Sequence, residues 1–324
     1  MNQSVGIVAI GRNEGERLKR CLASLKAAVD QIVYVDSGST DGSVAHAKQQ
    51  GILVAELEAD MPFTAARARN AGFAALTSRW PEVSFVMFID GDCELADGFP
   101  EAAAGALNAD SNIGAVTGRC RERFPDATIY NRLCDMEWAG PVGEITACGG
   151  IFVVRADGFR KIGGFNENVI AAEDDDFCIR LRKTGVRIIR IDRDMCFHDA
   201  DIRRFGQWWR RSVRAGHAFA QVGELHPGYF QSERRRAWFW GVALPLAAVL
   251  AAPFTYGLSL ALLLLYPASL VRTRARLIRN GAAPDHASLG ATFLTLSKFP
   301  NLAGILDYKR KKLSGRAPGI VEYK

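Results

Sequence analysis

From Ala237 to Val271 the chain runs AWFWGVALPLAAVLAAPFTYGLSLALLLLYPASLV, 35 residues without an Asp, Glu, Lys, Arg or His. As one helix this run would be about 52 Å long, against a hydrocarbon core of about 30 Å. Pro245, Pro253 and Pro267 interrupt it, and basic clusters flank it, Arg234–Arg236 on one side and RTRAR from Arg272 on the other. Positive flanks favour the cytoplasmic side of a membrane, so both ends are expected on that side, with a helical hairpin broken near Pro253. Each arm of the uncharged run would hold about 16 residues, marginal for spanning, which leaves a re-entrant and a fully spanning hairpin both open. A buried core hairpin of a soluble protein is the plain alternative.

The net charge of +6 conceals an asymmetry. Residues 1–200 hold 22 Lys/Arg and 29 Asp/Glu, whereas residues 201–324 hold 19 Lys/Arg and 6 Asp/Glu. A basic half suggests nucleic acid, but here it carries the uncharged run, so an anionic membrane surface is the expected partner and nucleic acid is not. Seven cysteines lie at irregular spacing with no CxxC pair. That pattern suits reduced thiols in a cytosolic setting and neither a disulfide framework nor a zinc site. The N-terminal stretch MNQSVGIVAIGRNEGE lacks the charged start and long apolar core of a signal peptide.

Before residue 200 the pattern changes. Apolar runs VGIVAI, QIVYVD and VSFVMFID alternate with helix-spaced segments such as GERLKRCLASLKAAV and FTAARARNAGFAALTSR. Strands alternating with helices predict an α/β fold, a doubly wound, mainly parallel sheet covered on both faces. IGAVTGR and GGIFVVR read as later strands, and DDDFCIRLRKTG and IRRFGQWWRRSVRAGHAFAQVG as helices. The last is amphipathic, basic and rich in tryptophan, which suits a membrane surface. The expected organisation is a catalytic domain at 1–200, an interfacial helix region at 201–236, the hairpin at 237–271 and a basic cytoplasmic tail with an amphipathic helix at 272–324.

In such sheets ligands bind beyond the carboxyl ends of the strands. Two acids fall there: Asp36, ending QIVYVD, and Asp90, ending VSFVMFID and followed by Gly91-Asp92. Two carboxylates one residue apart repel, and burying either alone is costly. A divalent cation would resolve this, because Mg²⁺ and Mn²⁺ favour carboxylate oxygens and often share them with phosphates. A turn whose Asp caps the next helix is the plain alternative.

The ordered set IGRNEGERL, VYVDSGSTDGS, RARNAGFAAL, FIDGDCEL, IGGFNE and AAEDDDFCIRLRKTG resembles the family-2 nucleotide-sugar glycosyltransferases over about residues 4–220. The resemblance implies the GT-A Rossmann-like fold, a nucleotide-diphosphate sugar donor, a Mg²⁺ or Mn²⁺ cofactor and inversion at the transferred sugar. It places Asn13, Glu14 and Asp36 in the nucleotide pocket, Asp92 on the metal and Asp90 on ribose or sugar. Arg69 and Asn70, with Arg67, are looser matches for nucleotide contacts, which a solvated helix face would also explain. His198 falls where the family often has a third metal ligand.

Attack on an anomeric carbon needs a base for the acceptor hydroxyl. The family's Glu-Asp motif falls on Glu173-Asp174, and in a helix from Glu173 the positions 174, 177, 178 and 181 share one face. That face carries Asp174 with Phe177, Cys178 and Leu181, so Asp174 is the expected base. Glu173, Asp175 and Asp176 are read as acids that favour the helix dipole. QWWRR at Gln207–Arg211 only partly resembles a motif of processive synthases, and an interfacial anchor suits Trp208 and Trp209 at least as well. The reading is a membrane-attached glycosyltransferase on the cytoplasmic face, acting on a lipid-linked or cell-envelope glycan. A nucleotidyltransferase of similar fold would need a Gly-rich basic loop after the first strand, where AIGRNEGER has one Arg before its acids. A non-catalytic scaffold that binds sugar nucleotides is the rival from another class.

Overall fold

The computed structural model describes residues 4–315. The chain divides into two compact units: residues 1–125 with 137–200, and residues 126–136 with 201–324. Residues 126–136, inside the range expected for the catalytic domain, thus group with the C-terminal unit.

The first unit is built on nine strands: β1 Val5–Gly11, β2 Ile32–Asp36, β3 Leu53–Glu56, β4 Phe85–Asp90, β5 Cys93–Leu95, β6 Ile113–Glu122, β7 Gly143–Ile145, β8 Phe152–Arg155 and β9 Arg187–His198. They form one sheet in the order β3-β2-β1-β4-β8-β6-β9-β5, with β7 paired to β9. Strands β3, β2, β1 and β4 run parallel, as do β6 and β9, while β8 is antiparallel to both of its neighbours. Helices α1 Glu16–Ala28, α2 Ser43–Gln49, α3 Ala65–Arg79 and α4 Phe99–Ala109 connect the early strands. The expected doubly wound α/β architecture is present.

The apolar runs became strands because both faces of the sheet are covered. Leu18, Cys21, Leu22 and Leu25 of α1 pack on one face with Ile7, Ala9, Met87 and Ile89. Ala66, Ala68, Phe73 and Leu76 of α3 pack on the other with Val8, Val33, Val86 and Phe88. Burying each large side chain is worth about 1.5–3 kcal/mol. The alternation along β1 and β4 therefore splits between two cores rather than between core and solvent.

Four further helices follow in chain order: α5 Ile129–Trp138, α6 Ala156–Lys161, α7 Glu173–Arg182 and α8 Phe205–Leu225. Helix α8, in the second unit, packs on α13, which is preceded by α9 Gln231–Trp238, α10 Leu244–Leu250, α11 Leu265–Arg279 and α12 Pro284–Leu296 and itself spans Lys298–Leu313. The α8–α13 crossing falls at Gly216 and Gly304. A Cβ on either would lie 2.0 Å from a backbone oxygen of the other helix, that of Asn301 or Val213.

Two apolar helices, Gln231–Phe254 and Leu258–Arg279, are 24 and 22 residues long. They exceed the arms of about 16 residues expected from the uncharged run because the basic flanks continue the helices. The break comes at the expected place: Tyr256 and Gly257 have positive φ, at 49° and 83°. Only 17% of the most apolar window of the first helix is buried, and none of the second. Phe254 and Tyr256 at the tip are 86% and 102% exposed. The hairpin is therefore not the core of this unit, and the buried-hairpin alternative does not hold.

Trp208 also departs from expectation. It is buried, edge-on to Phe293 at 4.8 Å between ring centroids, so it packs inside the second unit and is not available as an interfacial anchor. Gln207 caps α8 by accepting the Arg203 and Arg204 backbone N–H groups at 2.9 and 3.0 Å.

Candidate active site

The carboxyl ends of β1, β2 and β4 lie side by side because these strands are parallel and in register, with Gly11 opposite Asp36 and Ile10 opposite Asp90. The loops that leave them are laced together. Asn13, at φ 54°, accepts the Thr40 N–H on its side-chain oxygen at 2.7 Å, and its own N–H donates to Ser39 Oγ at 2.9 Å. The Gly15 N–H donates to Asp41 Oδ2 at 2.9 Å. Glu14 pairs with Arg17 one helical turn on, at 2.7 Å. Asp36 is 2% exposed, and its two oxygens accept the Ser39 N–H at 2.7 Å and the Tyr34 hydroxyl at 2.8 Å. Each carboxylate oxygen has lone pairs beyond the one so used.

The two acids of the Asp-Gly-Asp turn have different partners. Asp90 Oδ1 accepts from Arg69 Nη2 at 2.9 Å, while Asp92 Oδ2 lies 3.2 Å from His198 Nε2. The second pairing follows from strand register. In the antiparallel β5–β9 ladder Cys93 sits opposite His198, which puts the imidazole beside the preceding Asp92. Ligand atoms of Asp92, Cys93 and His198 all lie within 4.8 Å of one another. Burial pushes the Cys93 thiol up to about 12, and a sulfur donor is a poor match for hard cations, which prefer oxygen. That leaves one carboxylate and one imidazole, a donor pair that fits Mg²⁺ or Mn²⁺ with positions to spare for phosphate oxygens.

Arg69 is 2% exposed and does more than line a helix face. Its Nη1 donates to Glu173 Oε1 at 2.6 Å, so one guanidinium joins the end of β4 to the start of α7. Room for it comes from Gly150, where a Cβ would stand 2.5 Å from Arg69 Nη2. The neighbouring Asn70 is turned to a different task. Its amide donates to the Phe165 carbonyl and accepts the Phe165 N–H, both at 2.9 Å, which clamps the loop before α7. Arg67 donates to the Met61 carbonyl at 2.9 Å and lies 3.8 Å from Asp60.

At the start of α7, Phe177, Cys178 and Leu181 are buried and Asp174 is half-buried beside them. Desolvation raises the Asp174 carboxyl to about 6, the Glu173 charge adds to the rise, and Arg69 opposes it. Asp175 rises to about 8, by desolvation and then by the charges of Asp174 and Glu173. Two of the acids expected to serve only the helix dipole are tied by ion pairs. Glu173 meets Arg69, and Asp176, 2% exposed, accepts both Arg180 Nε and Nη2, at 2.9 and 2.7 Å. Asp176 is thus buried in an ion pair rather than serving the dipole alone. One further contact had no signal in the sequence: Trp138 stacks on His198, 4.6 Å between centroids with planes 4° apart.

The sequence profile described as "Glycosyl transferase family 2" matches residues 4–163, from β1 to the end of α6. Residues 4–163 belong to glycosyl transferase family 2. A second profile, "N-terminal domain of galactosyltransferase", matches residues 134–201 and takes in Trp138, Asp174 and His198. The chain is similar to the pre-mycofactocin glycosyltransferase of Mycobacterium tuberculosis, 26% identical over 243 residues, 70% of this chain and 49% of that protein. A TPR repeat-containing protein of Synechococcus elongatus is 37% identical over 91 residues, 28% of this chain and 21% of that one. The chain thus spans half or less of the length of these curated relatives. Among solved structures it is similar in fold to the Pyrobaculum calidifontis mannosyltransferase PcManGT in complex with GDP-Man and Mn²⁺. The TM-score is 0.59 at 18% identity, covering 96% of this chain and 88% of that one. S. aureus TarS 1-349 gives a TM-score of 0.52 at 13% identity, covering 97% and 92%.

Proposed function

We propose that this family 2 protein is a metal-dependent, inverting glycosyltransferase. It moves a sugar from a nucleotide-diphosphate donor to a hydroxyl of a lipid-linked or cell-envelope glycan, at the cytoplasmic face of a membrane. The observation that carries the reading is the arrangement around β4. A carboxylate–imidazole pair stands at its end, and Arg69 ties the same strand end to the helix whose first turn holds a carboxyl raised to about 6.

In this reading Asp36, Asn13 and Glu14 line the nucleotide pocket, Asp90 faces ribose or sugar, and Asp92 and His198 hold Mg²⁺ or Mn²⁺. The cation, when bound, offsets the charge that develops on the leaving diphosphate. Asp174 accepts the proton of the acceptor hydroxyl. The freed oxygen attacks the anomeric carbon from the face opposite the diphosphate, and the carbon–oxygen bond to the diphosphate breaks. A base whose pKa sits near the working pH is suited to this step. Arg69 and Asn70 support the site by positioning, through Glu173 and the 164–167 loop, in place of the direct nucleotide contacts first expected.

Membrane attachment rests on the exposed hairpin. Its two helices, 24 and 22 residues, are long and apolar enough to reach into a bilayer, and because their lengths include the basic turns at the membrane surface a re-entrant and a fully spanning hairpin both fit. The basic residues at both outer ends favour the anionic cytoplasmic leaflet. The test is a panel of sugar nucleotides with Mn²⁺ or Mg²⁺, scored for nucleoside diphosphate release. Release from at least one donor, abolished by EDTA, is expected. No release from any donor with any acceptor extract would favour a non-catalytic scaffold.

A further inference from the structure

The geometry assigns Trp138 as a positioning residue for the candidate cation site: its indole holds the His198 ring so that Nε2 faces Asp92. This rests on the metal reading above.

An imidazole is joined to its backbone by two torsions, of which the second is broad and roughly two-fold. A swing or tilt of the ring about these torsions carries Nε2 away from Asp92. Ligating histidines are ordinarily fixed through a second hydrogen-bonded group, and losing that group typically costs 10–100-fold in metal affinity. Here Cys120 stands within hydrogen-bond reach of the imidazole, and a flat π-face lies against the ring as well. With centroids 4.6 Å apart and planes 4° apart, the indole sits in van der Waals contact along the imidazole face. Tilting the imidazole toward the indole from this plane would drive one ring into the other. The orientation kept by the stack puts Nε2 3.2 Å from Asp92 Oδ2.

Trp138 is itself held against the strand that carries His198. The Gly140 N–H donates to the Trp138 carbonyl at 2.8 Å, which closes a tight turn after the indole. Arg190 of β9 lies across that turn, so close that a Cβ on Gly140 would be 1.6 Å from Arg190 Nη1. Three residues on, Gly143 begins β7, which pairs with β9 opposite Arg190. The strand that presents the imidazole therefore also anchors the segment that presents the indole, and the two rings share one support.

The test is a double-mutant cycle on Mn²⁺ affinity, measured by calorimetry on the full chain with a nucleoside diphosphate present. Trp138→Ala is expected to weaken Mn²⁺ binding 10–100-fold, and Trp138→Phe, which keeps a flat face, to recover most of that loss. In a His198→Ala background Trp138→Ala should have no further effect. Unchanged Mn²⁺ affinity in Trp138→Ala would overturn the assignment, as would an equal loss with and without His198, which marks a merely structural role. If Trp138→Ala does not fold, Trp138→Leu, which fills the space without a flat face, takes its place: weaker Mn²⁺ binding only where His198 is present supports the assignment. Unchanged binding, or an equal loss without His198, opposes it. Asp92→Ala separates the two levels of the argument. Loss of Mn²⁺ in Asp92→Ala but not in Trp138→Ala rejects the tryptophan alone, whereas full Mn²⁺ affinity in Asp92→Ala rejects the metal site with it.

Discussion

Arg69 Nη1 stands 2.6 Å from Glu173 Oε1, joining side chains 104 positions apart in the chain. Both are buried, and the same guanidinium reaches Asp90 at 2.9 Å. The pair couples the strand that ends in the acid turn to the helix that carries Asp174, so the donor side and the acceptor side of the candidate site share one buried ion pair.

Removing the cation from this arrangement should be expensive. Arg69→Met takes the guanidinium away from the buried Glu173, and breaking a buried pair from one side costs about 3–5 kcal/mol. Thermal or urea unfolding of the variant should show that loss. Arg69→Lys keeps the charge but not the fork that reaches two carboxylates, so it should recover only part of it. A fully stable Arg69→Met protein would mean that the ion pair is incidental.

The raised Asp174 carboxyl has a consequence for stability. Its folded pKa, about 6, lies above the unfolded value of 3.8. Between these values the folded state binds the extra proton, so this group contributes stability below about pH 4 and loses it as pH rises through 6. Asp174→Asn should therefore stabilise the fold at pH 7, on the order of 1–2 kcal/mol, and the gain should vanish near pH 4. Denaturant unfolding at the two pH values measures it. The same shift has a kinetic side: kcat/KM should rise with pH through about 6 as the carboxylate forms, then level off.

Asp36 presents a buried carboxylate at the end of β2, oriented by Tyr34 and Ser39. Asp36→Ala should weaken nucleotide-diphosphate binding at least tenfold in calorimetry while Mn²⁺ affinity stays near wild type. Loss of both together would show that the two loops act as one structural piece.

The hairpin makes a topological prediction. Single cysteines placed beside Arg234 and Arg274 should both be labelled by an impermeant thiol reagent from the cytoplasmic side, and the protein should sediment with membranes. Labelling from opposite sides would mean a single kinked span and would remove the hairpin.

How much of this was legible beforehand depended on whether a feature is local. The strands and helices of the first unit could be read because apolar spacing is set within a few residues. The hairpin break could be read from Pro253 and from loss of charge. Asp36, Asp90 and Asp92 were placed by the rule that strand ends carry ligands. What could not be read was long-range pairing. Arg69 was read as a nucleotide contact or a solvated helix-face residue because nothing near it signals a carboxylate 104 residues away or the slot left by Gly150. Asp176 was read as an acid that serves the helix dipole, and its buried ion pair with Arg180 depends on how α7 packs, which no local pattern reports. Trp138 carried no signal, since its meaning lies in the register that brings His198 beneath it. Trp208 looked like a membrane anchor until Phe293 was found against it.

The most direct test of the account compares donor turnover with donor binding in Asp174→Asn, a substitution that keeps the shape but cannot take up the acceptor proton. Nucleoside diphosphate release from the active donor should fall by about 10²–10⁴, the usual share of general base catalysis. Donor affinity in Mn²⁺ should stay within a few fold of wild type. Wild-type turnover in Asp174→Asn would contradict the assignment of the base and with it the catalytic account of this site.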